Sequence, residues 1–194
     1  MTDYTAYWGA TCVRGLVALM AGVVIAFCSA LNATVLLLPL GVVISLLALA
    51  AYIVVDSAIV LASSFMLPHR HLGRVALRIQ GFIGTMIGIA CFIASRIEVR
   101  WFLYLAALQA CCVAVTEYFS ARDTADDHRS KWCYASSIIA ALSCLVLLTF
   151  HHATGHLLSW LLYSYLWSFG LNLFVLSCHM LFEELHSSRP QIDS

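Results

Sequence analysis

The sequence predicts an all-α integral membrane protein with six transmembrane helices arranged as three tandem helical hairpins. Three observations carry that prediction. The chain is 62% hydrophobic and only 10% charged, against about 25% charged in soluble domains. Apolar runs of bilayer-spanning length, roughly 20 residues, recur from one end to the other. The connections between them alternate between short and long, which groups the spans in pairs.

The first span is Trp8–Leu31, and Arg14 is its single charge. It exceeds the apolar core of a removable signal peptide and is expected to remain in the protein. The second, Val35–Ser63, is long for a hydrocarbon core of about 30 Å and must tilt or extend beyond it. Pro39 falls near its start, where a missing N–H is best tolerated. The remaining spans are Val75–Ala94, Trp101–Phe119, Cys133–Phe150 and Leu157–Leu181. "NAT", "SRIEVR" and "HHATGH" are the short connections; "MLPHRHLGR" and "SARDTADDHRSK" are the long, charged ones. The latter reads as a solvated linker, and "EELHSSRPQIDS" as a short terminal tail from 183 to 194. All of it forms one membrane domain, with repeats at 8–65, 74–121 and 132–182.

Orientation follows from Lys and Arg. Arg14, Arg70, Arg74, Arg78, Arg122, Arg129, Lys131 and Arg189 fall on one side, and Arg96 and Arg100 on the other. The positive-inside rule then places both termini in the cytoplasm, in a bacterial inner membrane if the family resemblance below holds. Trp8, Trp101, Trp132 and Trp160 stand at span ends, as interfacial aromatics do. Net charge is zero with histidine neutral, and no basic block points to nucleic acid. The eight cysteines include no C-x-x-C pair and read as packing residues.

The hairpins resemble one another. "RGLVALMAG" in the first span aligns with "QGFIGTMIG" in the third. Gly15 matches Gly81 and Gly22 matches Gly88, each pair two helical turns apart on one face, with Ala18 and Gly84 between them. Small residues in such a stripe let helices approach closely in lipid, where packing drives association. In the fifth span Ser136 and Ser143 keep the spacing. The second helix of each pair carries a polar residue: Asp56, Glu117 and Asn172. Gly81 to Glu117 and Ser136 to Asn172 are both 36 positions, and Gly15 to Asp56 is 41.

On these features the chain resembles the HdeD family of bacterial acid-resistance membrane proteins. The features are Trp8, Arg14-Gly15 with Gly22, an acidic residue late in the partner helix, and their repetition as Gln80-Gly81, Gly88 and Glu117. It departs from the family pattern in the third repeat, where serines replace glycines and Asn172 replaces an acid. A Pro-Gly turn after the first helix of each repeat is also missing. The resemblance implies six spans in three repeated pairs and a role in acid or stress tolerance. It brings no reaction and no catalytic residues.

Arg14 and Asp56 lie at similar depth on antiparallel neighbours, so an ion pair across the hairpin is expected. An unpaired charge at a helix centre costs about 3 kcal/mol on insertion scales. Two readings stay open: a polar fastening between helices, or a proton site shared with Glu117 in a small transporter or channel. His151, His152 and His156 form a weak metal candidate, since the turn holds Gly155 and no acid. A bis-His haem needs two spans presenting His at one depth, and only His179 lies clearly inside a span. No cofactor is expected, and no nucleophile–base set converges in a span, so the chain reads as non-enzymatic. The expected partners are the bilayer itself and either a second copy or a larger membrane complex, in which this chain would be an accessory subunit.

Overall fold

The computed structural model describes residues 7–31, 38–66, 72–94, 99–123, 127–150 and 155–187. Six helices account for nearly all of them: α1 (Tyr7–Leu31), α2 (Leu38–Met66), α3 (Leu72–Ala94), α4 (Val99–Asp123), α5 (Asp127–Thr149) and α6 (Gly155–Ser187). All six are long and apolar enough to cross a membrane. No strand occurs among the described residues. In hydrocarbon every backbone N–H and C=O must be satisfied within the protein, and a helix achieves this within one segment. The exposed side chains agree with lipid as solvent: Met20, Phe27, Phe82, Met86 and Ile93 are each at least 60% exposed.

Every helix runs past the span read from hydropathy, α5 and α6 furthest at one end. The first residues of α5, from Asp127, belong to the polar stretch expected to be a linker, and α6 continues to Ser187 through part of the expected tail. Hydropathy marks the part of a helix that sits in hydrocarbon, and a helix is free to continue into the polar zone. The start of the second span, residues 35–37, lies outside the described residues.

Each helix packs against the next, giving the three hairpins, and α1 also packs along α6, so the six form a closed ring. The most extensive contacts are not within the hairpins. α1 lies most fully against α6, α3 against α2, and α5 against α4. The first helix of each repeat thus leans on the second helix of the preceding repeat, with α6 preceding α1 around the ring.

The glycine stripes explain this bias. A Cβ on Gly15 would stand 3.0 Å from the Gly170 carbonyl oxygen and the Phe174 amide nitrogen, both on the α6 backbone. One on Gly81 would stand 2.9 Å from the backbone nitrogen of Leu61 on α2. Gly22 meets Trp167 of α6, and Gly88 meets Val54 and Ile53 of α2. Without side chains at these positions the backbones come close enough for dispersion contacts along the whole seam. In the third repeat a serine takes over: Ser137 Oγ donates to the Ala114 carbonyl on α4 at 2.7 Å.

The ring interior is divided. Away from the Arg14 end it is filled by apolar side chains, among them Ile25, Leu46, Leu49, Phe102, Leu103, Leu158 and Leu162, each no more than 2% exposed. Towards the Arg14 end the apolar clusters are smaller, and the buried polar residues gather between them.

Candidate functional site

Arg14 lies seven residues into α1, about 10 Å from its start at 1.5 Å per residue. It is 1% exposed and is among the largest fully buried side chains. A charged group here requires partners, because an isolated ion in a low-dielectric interior carries a desolvation penalty of several kcal/mol. Two carboxylates meet it among the described residues. Arg14 Nε donates to Asp56 Oδ1 of α2 at 2.8 Å, with a longer contact from Nη2 to Oδ2 at 3.5 Å. Nη1 donates to Glu117 Oε1 of α4 at 3.3 Å. Asp56 is 1% exposed and Glu117 6%. The planar guanidinium suits this task, because its fixed fork serves two carboxylates in different directions at once.

The pairing expected within the first hairpin is therefore present, and a helix from the second repeat joins it. Asp56 and Glu117, set out above as counterparts, converge on one cation. Asn172, the third counterpart, does something else. Its Nδ2 donates to Ser136 Oγ and, at 3.4 Å, to the Trp132 carbonyl oxygen, both on α5. In the second repeat Thr116 Oγ1, beside Glu117, donates to Gln80 Oε1 at 2.7 Å. Each repeat thus has a side-chain link between its own two helices: Arg14–Asp56, Gln80–Thr116 and Ser136–Asn172.

Gly84 has a different role from the other small residues. It sits where Ser57 of α2 and Gln109 of α4 approach α3, and a Cβ there would crowd the Ser57 hydroxyl and the Gln109 amide. Ser57 Oγ, Gln109 Oε1 and Gln80 Nε2 are buried without a hydrogen-bond partner. Spacing alone had placed Gly84 on the packing face but gave no sign of these polar neighbours.

The histidine candidates of the α5–α6 connection lie beyond what the structure describes. His151 and His152 lie outside the described residues, as does the side chain of His156. Among the described residues no group of three His, Cys, Asp or Glu is gathered to hold a metal. All eight cysteines are free thiols. A shallow cleft of about 230 Å³ opens between α5 and α6, beside Leu142, Val146 and Leu161. Its serine hydroxyls are engaged by their own helices: Ser143 donates to Ile139 O, Ser164 to Leu161 O and Ser168 to Ser164 O. The cleft is chemically apolar.

Chemically, the Arg14 cluster can do two things. It ties α1, α2 and α4 together at one depth, and it holds two carboxylates within reach of one guanidinium. No family model matches the chain, and no curated protein or solved structure matches it.

Proposed function

We propose that the chain is a non-enzymatic multi-pass protein of the bacterial inner membrane, of HdeD type, with both termini cytoplasmic and a role in acid or stress tolerance. In this reading the Arg14–Asp56–Glu117 cluster is a structural fastening. The observation that carries it is the engagement of Arg14 by carboxylates from two different repeats. A charge held in this way fixes the register of three helices, the best-attested use of buried ionic groups. The apolar filling of the opposite half of the ring also favours a closed bundle over an open pore. Survival after acid challenge in dense culture, compared between wild type and a deletion strain, tests the physiological role. Equal survival of the two strains removes it.

The second reading is a small proton or solute transporter using Asp56 and Glu117. What favours it is the sharing of one guanidinium by two buried carboxylates, an arrangement that intramembrane proton sites employ. Proton flux into liposomes at acid pH separates the two readings. Flux in wild type that is lost in Glu117→Gln supports transport; absence of flux in wild type leaves the fastening.

A role as accessory subunit draws on α5, the span with the smallest buried share. Co-purification in mild detergent tests it, and a solitary monomer counts against it.

A further inference from the structure

Arg14 is not the sole arginine inside a span. Arg78 lies within the apolar stretch Arg74–Ile93 of α3, six residues past the helix start. Arg14 is neutralised by two carboxylates, whereas Arg78 has no hydrogen bond or ion pair among the described residues. Its Nε is buried without an acceptor. Its guanidinium lies over the ring of Phe65 of α2, whose centroid is 4.8 Å from the guanidinium carbon. The quadrupole of a phenyl ring compensates a cation only in part, with about 0.5–2 kcal/mol.

The setting points outward. Phe65 is 65% exposed, and Val75, Ile79 and Phe82 around Arg78 on α3 are each more than half exposed. In a membrane those faces meet lipid rather than water. Arg78 is therefore a half-buried cation on the lipid-facing rim of the α2–α3 seam, near the Arg-rich end of the bundle. A guanidinium placed there extends towards the headgroups, and the anion that meets it is a phosphate, which matches its planar fork with two hydrogen bonds.

We propose that Arg78, braced on Phe65, forms a specific site for the phosphate of an anionic lipid headgroup. This rests on the membrane-spanning character of the helices and not on any role of the Arg14 cluster. The guanidinium supplies the hydrogen bonds and the charge, Phe65 restricts its rotamers, and the exposed Val75 and Ile79 lie alongside the acyl chain. Arg122, also near this end of the bundle, is exposed and has no ring stacked on its guanidinium among the described residues.

The test is native mass spectrometry of the full chain in mild detergent, equilibrated with equal amounts of phosphatidylglycerol and phosphatidylcholine. Wild type is expected to retain phosphatidylglycerol preferentially. Arg78→Gln is expected to lower that retention about fivefold, the effect of one basic side chain near an anionic surface. Phe65→Leu is expected to lower it less, and Arg122→Gln to leave it unchanged. Equal retention by wild type and Arg78→Gln overturns the proposal, as does an equal loss in Arg122→Gln, which would mark diffuse charge attraction. Displacement of the lipid by inorganic phosphate would assign the site to a free anion instead. Should Arg78→Gln fail to fold, Arg78→Lys with Phe65→Leu decides, since full retention in both leaves no role for the fork or its brace. A chain recovered from the soluble fraction would refute the membrane reading itself, separately from the lipid site.

Discussion

Arg14 Nε and Asp56 Oδ1 lie 2.8 Å apart although 42 residues separate them, and both side chains are all but fully buried. Each is the one charged residue of its span. Removing one side of a buried ion pair so that the other charge is left uncompensated typically costs about 3–5 kcal/mol. Arg14→Met is expected to be the more damaging change, because it leaves two carboxylates facing each other. Asp56→Asn should be milder, since the amide oxygen still accepts from Nε and Glu117 remains. Thermal unfolding in detergent, followed by circular dichroism, checks the order. Equal stability of Arg14→Met and wild type would refute the fastening.

Arg14→Lys separates charge from shape. An ammonium preserves the charge but cannot reproduce the fork that reaches α2 and α4 together. The expected midpoint lies between wild type and Arg14→Met. A Lys variant as stable as wild type would show that charge alone suffices.

The glycines give a graded series. At Gly81 a Cβ meets the Leu61 backbone, and at Gly15 it meets two backbone atoms of α6, so Ala at either position forces a helix to move. Overpacking of this kind costs about 1–3 kcal/mol. Nothing lies within 4 Å of a Cβ on Gly9. Gly9→Ala should therefore be neutral or stabilising by about 0.4–1 kcal/mol. The three melting temperatures, compared side by side, check the contrast; a uniform response would mean the stripes do not set the helix spacing.

Ser57 and Ser136 form a second contrast. Both are fully buried, but Ser57 Oγ has no partner and Ser136 Oγ accepts from Asn172. Removing an unpartnered hydroxyl removes a desolvation penalty, whereas removing a bonded one leaves an orphan of about 1–3 kcal/mol. Ser57→Ala is expected to hold or raise the unfolding temperature and Ser136→Ala to lower it. The reverse order would show that the Ser57 hydroxyl is solvated or liganded.

The closure of the ring is open to direct chemical test. A Cβ on Gly170 would lie 3.1 Å from that of Ala18, close to the 3.5–4.5 Å of a disulfide. With the native cysteines replaced, Ala18→Cys combined with Gly170→Cys should cross-link on mild oxidation within one chain. Gel mobility after cleavage of a connecting loop reads the result. Two separate fragments would place α1 and α6 apart.

Much of this was legible in the sequence, for identifiable reasons. Asp56 and Arg14 stood out as lone charges at matching depth on consecutive helices, and consecutive helices pack. Glu117 was visible as a counterpart of Asp56 but not as a partner of Arg14, because that contact crosses between repeats. The glycine stripe was visible as a face, since spacing fixes a face. Which helix it met was not, because nothing local marks α6 as the neighbour of α1. In the sequence Arg78 is one of the positive charges that set orientation; that no described residue gives it an anion emerges only from the packed helices. The ends of α5 and α6 escaped because apolar length reports the hydrocarbon thickness and not the helix.

The α1–α6 seam also has a consequence in time. α1 leaves the ribosome well before α6, yet finds its main packing partner there. Throughout synthesis the Gly15–Gly22 face of α1 is bare, open to lipid or to any other small-residue helix that passes. Each nascent chain is thus vulnerable to premature pairing until α6 is inserted. A chain released before α6 would leave the Gly15–Gly22 seam open.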